Sequence, residues 1–182
     1  MYDTIQFICK SIVVAGVAAL CFKAYDAHVY KYTPFTIDGM TGVQPYKVMV
    51  DVELCHLSKD CMKMAEALYF EARGEGWVGM KAVANVINNR VKSSRFSDSV
   101  VDVVERPYQF SYIKELDKRV VRDKLSHRAA LIISQRVLTG EIEDNTIGST
   151  HYVAPKKLKR VPKWVREFQQ TVVINNHTFY RS

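Results

Sequence analysis

The strongest constraint on this chain is a pair of back-to-back helical patterns interrupted by Gly74-Glu75-Gly76. Before the interruption, Cys61, Met64, Ala65, Leu68 and Ala72 recur at helical spacing behind Ser58, a natural N-cap, with Asp60 in the first turn. Gly74 is the expected left-handed residue that ends this helix near Arg73. After it, Val78, Ala82, Val83, Val86 and Ile87 form a second apolar face, and Asn88, Asn89 and Arg90 close it. Gly79 in the second helix would let another backbone approach closely. Two helices meeting at so short a turn make a corner, with Glu71 and Glu75 at its mouth.

That corner has chemical consequences. Glu71 falls in the last turn of the first helix, against the partial negative charge of the helix end. Such a position, beside Leu68, Tyr69 and Phe70, disfavours the ionised form of a carboxyl group. A carboxyl group that keeps its proton is what a glycosidase uses to protonate a leaving oxygen. On the residues alone, Glu71 reads more readily as a solvated charge on a helix end, and Glu75 as a loop, capping or structural carboxylate. Arg73 and Arg90 read as cations paired with surface acids.

The remaining chain gives weaker signals. Ser97-Asp98-Ser99 opens a short helix through Val104 that Arg106-Pro107 ends, and Gln109, Phe110, Ser111 and Tyr112 follow on a loop. Amides and aromatics together suit a sugar groove, so Gln109 and Phe110 are candidate substrate contacts, with a core position the alternative for Phe110. Residues 126–139 read as a scaffold helix with Ala129, Ala130, Ile132, Ile133 and Val137 inward and Gly140 after its end. His127, alone on it, reads as a surface residue. Val172-Val173-Ile174 and Thr178-Phe179-Tyr180 flank Asn175-Asn176-His177, the pattern of a C-terminal hairpin.

These blocks carry a resemblance. Tyr69-Phe70-Glu71-Ala72-Arg73-Gly74-Glu75, Gly79 and Ala82 to Arg90 resemble the SleB-like cell wall hydrolases. So do Phe96 and Val100 to Val104 before Gln109-Phe110-Ser111, then Thr150-His151-Tyr152, Pro162-x-Trp164 and His177-x-Phe179-Tyr180-Arg181. The blocks keep their order over roughly residues 60–182, which is far more specific than one short motif. The resemblance implies an α+β, mainly helical, lysozyme-like fold that cleaves peptidoglycan glycan strands. The family's spore-cortex members look like lytic transglycosylases, in which one acid protonates the glycosidic oxygen and the sugar's own 6-hydroxyl closes an anhydro ring. Glu71 then matches the catalytic acid/base. Glu75 is the runner-up, needed if the enzyme is a hydrolase with two carboxylates. By the same match, His151 and Tyr152 fall near the site, His151 to bind substrate or orient Glu71, and Trp164 lines the glycan groove or plugs the core. No cofactor and no metal is implied; the cysteines form no CxxC pair and no histidine stands at zinc-finger spacing.

The first thirty residues differ in kind. Ser11 to Phe22 are uncharged between Lys10 and Lys23, and extending back to Ile5 gives a stretch of ~27 Å as a helix, marginal for a hydrocarbon core of ~30 Å. Lys10 inside the span must snorkel. A cleavable signal peptide, a permanent signal anchor and an anchor weak enough to release all remain open. The expected organisation is a membrane or signal segment over 1–27, a linker or irregular lead-in over 28–57 with a short strand at Val48, Val50 and Val52, and the catalytic domain over 58–182. If the chain is exported, Cys55 and Cys61 are candidates to bridge, and Cys9 or Cys21 to exchange into a new pair; otherwise all four are packed thiols.

Charge adds a last expectation. Of 26 Lys and Arg and 19 Asp and Glu, residues 1–55 carry net −1 and residues 56–182 net +8. Residues 156–166 hold Lys156, Lys157, Lys159, Arg160, Lys163 and Arg166 and no acid, suited to an anionic wall polymer or to phospholipid headgroups, or simply solvated. No nucleic-acid recognition motif accompanies this charge, so a nucleic-acid partner is not expected. The expected protein is a monomeric, exported wall-cleaving enzyme, tethered to the inner membrane or free in the periplasm, in the manner of a phage endolysin. A bacterial wall-remodelling or spore-cortex enzyme with a cleaved signal peptide is the alternative, and a non-catalytic wall-binding protein a third.

Overall fold

The computed structural model describes residues 45–107, 109–110, 112–113, 120–158 and 160–182. The expected membrane segment, Cys9, Cys21, Ser111 and Lys159 lie outside them. Among the described residues, no helix is long and apolar enough to cross a membrane.

Among the described residues, five α-helices precede a small sheet: α1 (Pro45–His56), α2 (Lys59–Ala72), α3 (Gly76–Val91), α4 (Val100–Glu105) and α5 (Lys124–Leu138), then β1 (His151–Val153), β2 (Gln169–Ile174) and β3 (His177–Arg181). The strands are antiparallel in the order β1-β3-β2, with His151 opposite Tyr180 and Tyr152 opposite Phe179. The fold is therefore α+β and mainly helical, as expected.

The α2 start follows its sequence signal, since the Ser58 hydroxyl accepts from the Cys61 N–H at 3.2 Å. Its end differs. A 3-10 turn, Arg73–Glu75, continues directly into α3, and the left-handed residue is Gly76 (φ 66°), not Gly74. Glu71 keeps its place in the last turn of α2. The helix α3 is central, and two faces of it are covered. Met80, Val83, Ala84 and Ile87 join α2, α4 and α5 in the main core, while Ala82 and Val86 pack on Phe179 of the sheet. Val78, expected inward, is exposed because it precedes the part of α3 that both layers cover.

The lead-in reading fails over residues 45–56, where α1 is a helix rather than a strand. Proline at its first position fits, because the N–H it lacks has no intrahelical partner there. Val48, Asp51 and Cys55 are its buried residues. Cys55 is bridged to Cys61, joining the last turn of α1 to the first turn of α2. Closing so short a loop is expected to stabilise the fold by about 2 kcal/mol. Cys55→Ser with Cys61→Ser should lower the unfolding free energy by that amount, read from urea titration as a transition at lower urea.

Candidate functional site

The sheet docks on α3 through polar side chains. Asn85 donates to the Asn145 side chain at 3.3 Å, and Asn89 to the Asp144 carboxylate at 3.0 Å and the Ser149 carbonyl at 3.1 Å. Asp144 in turn accepts from the N–H groups of Thr146 and Gly148 at 2.7 and 2.8 Å, closing the loop before β1. Arg90 corrects its surface reading. It is buried, donates from Nε to the Thr150 carbonyl at 2.7 Å, and lies over the Phe96 ring. These residues of the Ala82–Arg90 block thus fix where β1 begins.

From that point β1 sends successive side chains to opposite faces. His151 meets Trp164 (ring centroids 5.0 Å apart) and Phe168 (4.8 Å), and Trp164 stands edge-on to Tyr180 at 5.4 Å. Trp164 is half-buried, so it both packs and keeps ring surface in solvent. Burial, with the Arg90 cation adding, lowers His151 to about 4, so its imidazole is neutral at physiological pH. Its Nδ1 lies 3.0 Å from the Thr150 hydroxyl.

Tyr152 faces the other way, edge-on to His177 at 5.3 Å and near Phe179. Burial and then the negative charge of Glu71 push the Tyr152 phenol well above its ordinary value, against the pull of Arg90. Burial lowers His177, with Lys157 in the same sense, against Glu75 and Glu71, which pull it up. The half-buried Glu71 therefore acts on Tyr152 and His177 together. The charge acting on His151 is that of Arg90, whereas the charge of Glu71 acts on Tyr152.

Glu75 lies within the 3-10 turn and reaches the β2–β3 turn. Its Oε1 and Oε2 accept from the Asn176 side-chain amide at 3.3 and 3.2 Å, and its backbone carbonyl accepts from Asn175 Nδ2 at 2.8 Å. His177 Nδ1 is 3.9 Å from Oε2.

Of the expected groove residues, Gln109 is exposed on the loop after α4. Phe110 is not a groove residue. It is 3% exposed in the main core, beside Tyr112, which stacks on Phe70 at 5.3 Å. A ring so enclosed has no face left for a sugar. His127 is likewise not a plain surface residue, since it packs edge-on to Tyr69 at 5.7 Å. A cavity of about 450 Å³ lies elsewhere, lined by Lys59, Met62, Lys63, Glu66, Val101, Val121 and His127. Among the described residues, no group of three or more His, Cys, Asp or Glu is placed to hold a metal ion. Sequence reasoning missed His177 as a neighbour of Glu71; its place in the last matched block was the available signal.

A mainly helical layer beside a small antiparallel sheet, as here, is a lysozyme-like architecture. The family described as Cell Wall Hydrolase matches residues 74–180, and this chain belongs to it. The spore cortex-lytic enzyme of Halalkalibacterium halodurans is 35% identical over 120 residues, 66% of this chain and 34% of that protein. The Bacillus cereus enzyme of the same description is 31% identical over 120 residues, 66% of this chain and 43% of that protein. The chain thus spans 34–43% of the length of these curated relatives. Among solved structures, the catalytic domain of the germination-specific lytic transglycosylase SleB from Bacillus anthracis aligns with a TM-score of 0.56 at 30% identity, covering 68% of this chain and 96% of that one.

Proposed function

We propose that this chain cleaves peptidoglycan glycan strands as a lytic transglycosylase, with Glu71 as acid and then base. The Glu71 carboxyl group gives its proton to the glycosidic oxygen as the bond from C1 to that oxygen breaks. The 6-hydroxyl of the same sugar then bonds to C1 and passes its proton to the Glu71 carboxylate. The acid is regenerated and no water is consumed. The observation that carries this reading is the contrast between the motif's two carboxylates. Glu71 stands half-buried in the last turn of α2, where its charge acts on Tyr152 and His177, and Glu75 is hydrogen-bonded through both oxygens to Asn176. A hydrolase needs a second carboxylate to act as nucleophile or to activate water. Tyr152, kept protonated, is a hydroxyl donor to substrate beside the acid. Trp164, with His151, offers ring surface to a pyranose, and Gln109 an amide. The test is mass spectrometry of fragments from purified peptidoglycan: anhydro-muramic ends are expected, and reducing ends would assign hydrolysis.

Charge supports an anionic substrate. Lys156, Lys157, Arg160, Lys163 and Arg166 are all exposed, and among the described residues none of them forms a salt bridge. Lys157 is close enough to act on His177, so this strip adjoins the site. Peptidoglycan carries carboxylates on its stem peptides. Raising ionic strength until the screening length falls from ~10 Å to ~3 Å should therefore raise KM several-fold and leave kcat nearly unchanged.

The reaction is placed outside the cytoplasm, which the family and the Cys55–Cys61 bridge support. The sequence of residues 5–22 supports a releasable inner-membrane tether and, with it, a phage endolysin acting in host lysis. Fractionation tests the tether: intact chain should leave the membrane when the potential is collapsed. The similarity to spore cortex-lytic enzymes favours the second reading, a bacterial enzyme with a cleaved signal. A mature N-terminus near residue 28 would select it.

A further inference from the structure

Glu75 sits between two elements that the sequence keeps far apart. Its side chain is only 9% exposed, yet it belongs to the turn joining α2 and α3. Besides the bonds to its two carboxylate oxygens, it accepts the Asn176 backbone N–H on Oε2 at 3.4 Å. The turn it holds is a two-residue link between β2 and β3, with Asn175 at φ 52°, a backbone conformation asparagine adopts readily. Gly79 completes the arrangement. A Cβ there would stand 2.3 Å from the Glu75 Cβ and 3.3 Å from Asn175 Nδ2, so only glycine lets the Glu75 side chain cross α3 to the hairpin.

The residue immediately after that turn is His177. It is buried, lies edge-on to Tyr152, and shares with Tyr152 the influence of the Glu71 charge. Fixing the turn therefore fixes His177 against Tyr152, the two side chains on which the Glu71 charge acts.

We propose that Glu75 is a positioning residue: it locks the Asn175-Asn176 turn to the helix corner and so holds His177 and Tyr152 in register with Glu71. This rests on the reading of Glu71 as the acid. A direct chemical role for Glu75 requires a carboxylate oxygen turned toward substrate, and both of its oxygens are turned to Asn176. The Glu75 carboxylate is only 9% exposed although Asn175 and Asn176 are exposed, so the lock also adds stability, and the melting temperature is read beside turnover to separate the two effects.

The test is an exchange of the two side chains. Glu75→Gln sets an amide donor against the Asn176 donor and loses one bond. Asn176→Asp sets carboxylate against carboxylate and breaks the lock. The double variant restores a donor–acceptor pair with the carboxylate on the hairpin side. Expected are a loss in kcat of about tenfold for Glu75→Gln and about a hundredfold for Asn176→Asp, with KM within about twofold of wild type. The double variant should return to within about threefold of wild type. A double variant no more active than Asn176→Asp would overturn the proposal and make Glu75 itself chemical. A loss that tracks only the melting temperature would overturn it in favour of a structural role. The His177 imidazole resonances read the same lock without catalysis. They should move in both single variants and return in the double, and resonances unmoved in the singles would also refute the lock. This readout keeps the proposal separable from the Glu71 reading, which fails if the wild type releases no glycan fragments.

Discussion

Glu71→Gln is expected to lower turnover on peptidoglycan by about 10³-fold, with the melting temperature unchanged. The substitution preserves volume and hydrogen-bonding reach. It removes the one capability the mechanism requires, donation of a proton to the glycosidic oxygen and its recovery from the 6-hydroxyl. Glu71 stands at the end of α2, half-buried, and its charge acts on Tyr152 and His177. An amide there still contacts substrate, so binding to insoluble peptidoglycan should persist while fragment release stops. Steady-state release assays and circular dichroism melts on both proteins check this. Activity within tenfold of wild type would remove Glu71 from the chemistry. Wall binding without fragments from either protein would instead favour a non-catalytic wall-binding protein.

Asp51→Ala carries the second large effect, on stability. Asp51 Oδ2 accepts from Arg136 Nε at 2.7 Å, and the two side chains are 5% and 10% exposed. The pair ties α1 to α5 inside the protein. Removing the acid leaves a guanidinium buried without its counter-charge, which costs about 3–5 kcal/mol. For a domain of this size that is a drop of roughly 10 °C in melting temperature. Replacing both residues with methionine should recover most of the loss, because a buried ion pair gives little net stability over well-packed apolar groups. Thermal melts of the single and double variants separate the two cases. If Asp51→Ala melted like wild type, α1 would not be an integral layer.

The parts of the fold legible in the sequence are those set by local rules. Ser58 and the spacing from Cys61 to Ala72 specify α2, and Asn175-Asn176 between two apolar runs specifies the hairpin. The parts that were not legible depend on partners far along the chain. Helix α1 has an aspartate at an inward position, which breaks its apolar period; the reason is Arg136 on α5. Arg90 reads as a surface cation until the Thr150 carbonyl is brought to it. Phe110 follows a proline-terminated helix and looks like a loop aromatic, but the loop folds back and buries it with Tyr112. Gly79 reads as a place where another backbone comes close, but what comes close are the side chains of Glu75 and Asn175. Glu71 and Tyr152 were singled out through their matched blocks, whereas the place of His177 beside Tyr152 required the sheet to be placed.

The most direct test of the account is digestion of purified peptidoglycan in water enriched in heavy oxygen, with mass spectrometry of the fragment ends. If Glu71 alone moves the proton and the 6-hydroxyl closes the ring, fragments from the wild-type protein carry anhydro ends and no heavy oxygen. Heavy oxygen at newly formed reducing ends would mean that water attacks C1, contradicting the single-carboxylate mechanism and reopening the search for the group that activates it.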